Sequence, residues 1–281
     1  MKLYSIHAGF FKLDGGAMFG VVPKSIWNRL NPADENNMCT WSLRCMLIDT
    51  GGKKILVDTG MGDKQDAKFF SHYYLHGEYN LDSSLAKHGF TKDDITDVFH
   101  THLHFDHCGG TITRDGSGGL VPAFKNATLW SNEQHWKWAT EPNDREKASF
   151  LKENILPMRE SGKMQFTEVQ DGVKLFDDNI TLKFAFGHTD AMMLPTIRYK
   201  NRTLVYMADL LPSTAHLPLP YIMGYDMFPL KTLNEKKRFL QEALENNYVL
   251  FFEHDPQVEC CTLQMTDKGI RVNETFTLDE L

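Results

Sequence analysis

Between Val98 and Gly110 the sequence reads VFHTHLHFDHCGG, which places His102, His104, Asp106 and His107 within six positions. Imidazole nitrogens and carboxylate oxygens are donors that suit zinc, with manganese, iron or cobalt as substitutes. His102 and His104 are two apart, so in extended backbone their side chains leave on the same side and can share one ion. Asp106 and His107 are adjacent and point apart, which offers the same loop a second ion. Two metal ions near one another usually serve hydrolysis. The apolar approach through Val98 and Phe99 marks the end of a buried strand, and Gly109-Gly110 lets the backbone turn sharply afterwards. A histidine-rich surface loop is the plainer reading, but it accounts for neither the strand approach nor the glycine exit.

The pattern resembles the H-x-H-x-D-H signature of the metallo-β-lactamase superfamily, matched at His102, His104, Asp106 and His107. Three further residues stand at strand exits downstream: His188 in Gly187-His188-Thr189, Asp209 after one apolar run and His254 after another. Each alone is an ordinary polar residue; together they follow the order that the signature demands, along nearly the whole chain. The resemblance implies an α/β fold, an αββα sandwich with two β-rich halves face to face and helices outside. It implies that His102, His104 and His188 hold one metal and that Asp106, His107 and His254 hold the other, with Asp209 bridging. The cofactor would be two divalent ions, zinc foremost. Relatives with two irons for redox chemistry usually carry Glu at the second motif position, so His104 favours hydrolysis. Asp58, in Asp58-Thr59-Gly60, also matches a family motif and would hydrogen-bond a ligand histidine to fix its tautomer. Cys108 reads as a small packing residue and His100 as structural, and His135→Ala is expected to be nearly silent.

The elements that must position these groups follow from periodicity. Leu3–Lys12 alternates apolar and polar residues and predicts a first strand. WSLRCMLIDTGGKKILVDTG predicts a hairpin across Gly51-Gly52 that ends at Asp58, and TIRYKNRTLVYMADLL a second that ends at Asp209. Helices are predicted over 82–88, from a capping box at Ser131-Gln134, over 145–160 and from a capping box at Thr232-Glu235. Tyr248–Phe252 predicts the buried strand before His254. No linker or charge run divides the chain, so residues 1–281 read as one domain. Residues 14–37 read as a long loop with large apolar side chains, covering the pocket or a neighbouring copy in a homodimer.

Composition is that of a globular protein, with 42% hydrophobic and 24% charged residues over 281 positions. A net charge of -7 and the lack of a basic stripe argue against nucleic-acid binding. No apolar run is long enough for a membrane span. The N-terminus lacks a signal-peptide pattern, and five irregularly spaced cysteines read as reduced thiols of a cytoplasmic protein.

Two segments narrow the resemblance. DGGAMFGVVPKSIW (Asp14–Trp27) and the stretch from Ala215 to Asp226 look like the branch of quorum-quenching N-acyl-homoserine-lactone lactonases and methyl parathion hydrolase-like enzymes. The activity implied is lactone opening by a metal-bridging hydroxide, with Asp106 and Asp209 as the catalytic carboxylates and Asp106 shuttling the proton. Some such lactonases have a tyrosine three residues after the bridging aspartate, where this chain has Pro212, so His216 or Tyr221 is the expected helper. Phe19, Val21, Ile26, Trp27, Phe69 and Met223 are candidates for an acyl trough. Competing readings on the same residues are a phosphotriesterase or arylesterase and a glyoxalase-II-like thioesterase. A nuclease and a mononuclear iron persulfide dioxygenase stand further off.

Overall fold

The computed structural model describes all residues 1–281. Its strands are β1 (Lys2–Asp14), β2 (Met38–Asp49), β3 (Lys54–Val57), β4 (Asp97–Phe99), a small ribbon of β5 (Ile112–Arg114) and β6 (Leu120–Pro122), β7 (Thr128–Asn132) and β8 (Met164–Thr167). The second half supplies β9 (Ile180–Ala185), β10 (Met192–Tyr199), β11 (Arg202–Tyr206), β12 (Val249–Phe251), β13 (Cys260–Thr266) and β14 (Gly269–Phe276). They form two six-stranded mixed sheets, ordered β1-β2-β3-β4-β7-β8 and β14-β13-β12-β11-β10-β9. Helices are α1 (Gly15–Phe19), α2 (Lys24–Trp27), α3 (Ala67–Tyr73), α4 (Leu81–Lys87), α5 (Phe105–Cys108), α6 (Glu133–Thr140), α7 (Lys152–Glu160) and α8 (Pro229–Glu245).

Strand alternation builds the layers. In β2, Met46 and Ile48 enter the core shared with β9–β13, whereas Cys45 and Leu47 face the opposite side, with Leu85, Ile155 and Met158 of α4 and α7. Phe239, Leu240 and Ala243 of α8 cover the second sheet. The result is the αββα sandwich. The two sheets are stitched together beside the strand ends. Ser42 N–H donates to the His254 carbonyl at 3.0 Å and Arg44 N–H to that of Glu253 at 3.1 Å. The Arg44 guanidinium reaches the Phe252 carbonyl at 2.6 Å, and the Tyr206 hydroxyl donates to the Arg44 carbonyl at 2.9 Å.

Three local expectations change. The helix expected over 145–160 begins only at Lys152, because the preceding turns aim Glu146 inward and let the Ser149 carbonyl accept from Phe105 N–H at 3.0 Å. The helix expected to open at Thr232 starts at Pro229, a residue pre-organised for the first helical position. Residues 14–37 are not a plain loop: Asp14 accepts from Ala17 N–H at 2.9 Å and caps α1, and α2 follows.

Candidate metal centre

Strand ends deliver the polar groups. β4 releases the loop with His102 and His104, α5 carries Asp106 and His107, and β9, β11 and β12 lead to His188, Asp209 and His254. All seven are buried. They fall into two groups, His102, His104, His188 and Asp209 in one and Asp106, His107 and His254 in the other. Within each group the donor atoms lie within 4.8 Å of one another.

Ring nitrogens face each other across both groups. His104 Nδ1 lies 3.0 Å from His102 Nε2 and 3.3 Å from His188 Nε2. His107 Nε2 and His254 Nε2 are 3.1 Å apart. Asp209 stands between the groups, with Oδ2 at 3.2 Å from His188 Nε2 and Oδ1 at 3.1 Å from His254 Nε2. That Oδ1 is buried and accepts no properly directed hydrogen bond. Converging nitrogens and an orphaned carboxylate oxygen are unfavourable by themselves, and divalent cations satisfy both. The donor set therefore fits two ions that share Asp209.

The outward nitrogens fix which edge of each ring points inward. His188 Nδ1 lies 2.9 Å from Asp226 Oδ1, His254 Nδ1 2.8 Å from the Ser42 carbonyl and His104 Nε2 2.9 Å from Glu146 Oε1. His107 Nδ1 sits between Asp58 Oδ2 at 3.2 Å and Glu253 Oε2 at 3.0 Å. Asp58 in turn accepts from the Thr101 N–H and hydroxyl. The sequence reading missed Glu146, Asp226 and Glu253. Glu253 carried a signal, since it directly precedes His254, and Asp226 closes the stretch from Ala215 that resembles the lactonase branch; Glu146 carried none.

Burial, reinforced by His107 and His104, holds His102 well below the usual imidazole value and leaves its lone pair free. Burial lowers His104 as well, against the pull of Glu146. At His254 burial also pulls downward, but Asp209 outweighs it and raises the ring to about 9. Burial pushes Glu253 up to about 8.

The groups open onto a cavity of about 40 Å³ walled by Leu13, Met18, Phe105, Ser149, Met223 and Tyr225. A larger cleft of about 1120 Å³ between α8 and the last hairpin holds none of the donors. Of the expected trough residues, Met223 is on the wall. Phe19 and Trp27 stack on each other at 5.2 Å in the core, because α1 and α2 fold their rings under the cavity floor. Phe69 stands behind Phe105, edge-on at 5.3 Å. Val21 and Ile26 face outward, 91% and 49% exposed.

Neither expected helper reaches the cavity. His216 Nδ1 pairs with Ser213 Oγ at 2.8 Å and its Nε2 with the Met18 carbonyl at 2.9 Å, so both nitrogens are engaged; Tyr221 packs edge-on against Phe19. Cys108 packs as expected, its buried thiol donating to the Leu103 carbonyl at 3.3 Å, and burial lifts it to about 12. His100 bonds the Trp130 carbonyl and Thr111 hydroxyl. His135 is not the idle residue expected: Leu103 N–H donates to its Nε2 at 2.8 Å, and its Nδ1 donates to the Asp190 carbonyl at 2.6 Å.

Comparison with known proteins agrees with this geometry. An N-acyl homoserine lactonase of Bacillus thuringiensis is 26% identical over 269 residues, covering 92% of this chain and 94% of its own. A probable metal-dependent hydrolase from Staphylococcus aureus superposes with a TM-score of 0.88 at 27% identity, over 98% of this chain and 96% of that one. AidC, a dizinc quorum-quenching lactonase in complex with a product, shares the fold with a TM-score of 0.79 at 22% identity, over 98% and 95%. The family model described as Metallo-beta-lactamase superfamily matches residues 43–254, from within β2 to the last donor histidine, and the chain belongs to that superfamily.

Proposed function

We propose that this protein is a dinuclear metal hydrolase that opens the lactone ring of N-acyl homoserine lactones. The observation that carries the reading is Asp209, which offers one carboxylate oxygen to each donor group. Likeness to lactonases over 92% of the chain supports the substrate class. Two divalent ions held there, zinc foremost, supply a water that ionises near neutral pH and positive charge for the carbonyl and leaving oxygens. The chain does the rest. Asp58, Glu146, Asp226 and Glu253 hold the imidazoles in register. Asp106, on the wall with a carboxylate oxygen 3.7 Å from His254 Nε2, carries the proton to the leaving alkoxide. Met18 and Met223 are flexible side chains that swing aside for an acyl chain, since about 40 Å³ accommodates little more than a water.

The test is turnover of metal-reconstituted protein on a panel of N-acyl homoserine lactones, followed by proton release. Saturable opening that stops on chelation and returns with zinc, manganese or cobalt is expected. No turnover in protein that holds two metals per chain would discard the lactone, and phosphotriesters, aryl esters and thioesters would follow. His104→Ala and Asp209→Asn should each lose metal and activity while keeping the far-ultraviolet spectrum of the parent; full activity in either refutes the ligand assignment.

A further inference from the structure

An acyl-transfer reaction places negative charge on the former carbonyl oxygen, and buried sites usually meet that charge with an oriented donor. The polar side chains around the cavity are mostly committed to one another, whereas the Tyr225 hydroxyl is not. Tyr225 lies on the wall with His104, Asp106, His188, Asp209 and His254. Its ring packs against the aromatic core below, and no hydrogen bond within the chain engages its hydroxyl.

Its backbone is rigidly held. The neighbouring Asp226 binds His188 Nδ1 through Oδ1 at 2.9 Å and accepts from Met223 N–H through Oδ2 at 3.1 Å. Gly224 N–H donates to the Ala17 carbonyl at 2.7 Å, Arg145 donates to the Gly224 carbonyl, and Met227 N–H donates to the His188 carbonyl at 3.0 Å. Tyr225 therefore rides on the same hydrogen-bonded unit as a donor histidine, which is the precision that a catalytic group needs. Burial, with the nearby Tyr73 and Asp106, holds its hydroxyl well above the ordinary phenol value, so it remains a donor across the working pH range.

We propose that Tyr225 is a catalytic residue whose hydroxyl donates a hydrogen bond to the substrate carbonyl oxygen as that oxygen becomes the oxyanion. The proton stays on Tyr225 throughout. The role rests on the hydrolase reading above, and it gives the chain its own donor despite Pro212.

Tyr225→Phe keeps the ring and removes only the uncommitted hydroxyl. On whichever lactone or aryl ester the parent turns over, kcat should fall about 10²- to 10³-fold. KM should stay within about threefold, because the bond strengthens only as charge develops. Metal content and melting temperature should match the parent. A second readout needs no turnover: calorimetric titration with n-butylphosphonate, a tetrahedral anion, should show about tenfold weaker binding in the variant. Unchanged phosphonate affinity, full kcat, or a loss of metal or melting temperature each overturns the proposal. A parent that opens aryl esters but no lactones removes the lactone reading alone, and the aryl ester then decides the role of Tyr225. If the parent opens neither, the hydrolase reading falls, and the phosphonate titration still decides whether this hydroxyl meets the anion.

Discussion

One imidazole outside the donor groups ties together two loops that carry the histidines of the first group. His135 accepts from Leu103 N–H between His102 and His104, and donates to the Asp190 carbonyl two residues after His188. Replacing it with alanine strands the buried Leu103 N–H and the half-buried Asp190 carbonyl and leaves a cavity, at a cost of about 2–4 kcal/mol. Urea unfolding checks this, and an unmoved midpoint refutes it. Glu146 bonds a single histidine of the donor groups, His104: if that ring holds a metal as proposed, Glu146→Gln should weaken metal binding about 10- to 100-fold, read by competition with a chromophoric chelator. The difference between what could and could not be read from sequence is chemical. Ligation restricts a position to a few residue types, so His102, His104, Asp106 and His107 stand out at their spacing. Glu146 looks like any other surface carboxylate until the fold brings an imidazole to it, and the partners of His135 are backbone atoms that leave no trace in composition.

At the level of elements, strands were legible because alternation is forced by two-sided packing, as in β2. Helix starts were less so, since Thr232 satisfies a capping pattern yet lies inside α8, beneath Gly187. That contact has a mechanical consequence. A Cβ at Gly187 would stand 2.3 Å from Thr232 N and 2.6 Å from its Cα, atoms locked in the first turn of α8. Gly187→Ala must therefore displace His188 or the helix, and an overpacking cost of about 1–3 kcal/mol is expected. Thermal unfolding together with metal content measures it; a variant with the melting temperature and metal content of the parent would show that the contact yields freely.

The whole molecule carries a built-in acid limit. Burial holds His216 at about 4, and His7 and His135 likewise, against an ordinary 6.5. Between those values the unfolded chain takes up protons that these three rings refuse in the folded chain, so their contribution to stability is full above pH 6.5 and drains away as the pH falls toward 4. For His216 alone the loss is on the order of 3 kcal/mol. His216→Gln should flatten the decline in urea midpoint between pH 7 and 4.5; an equally steep decline refutes the assignment. The stitch between Ser42, Arg44 and residues 252–254 has a consequence in time as well as in space. Ribosomes extend a chain at about 5–20 residues per second. β2 thus emerges well before the carbonyls that its Ser42 and Arg44 bond, and His107 well before His254. During synthesis the nascent chain holds six of the seven donors once Asp209 has emerged, and the group of Asp106 and His107 stays open until His254 follows in the last quarter.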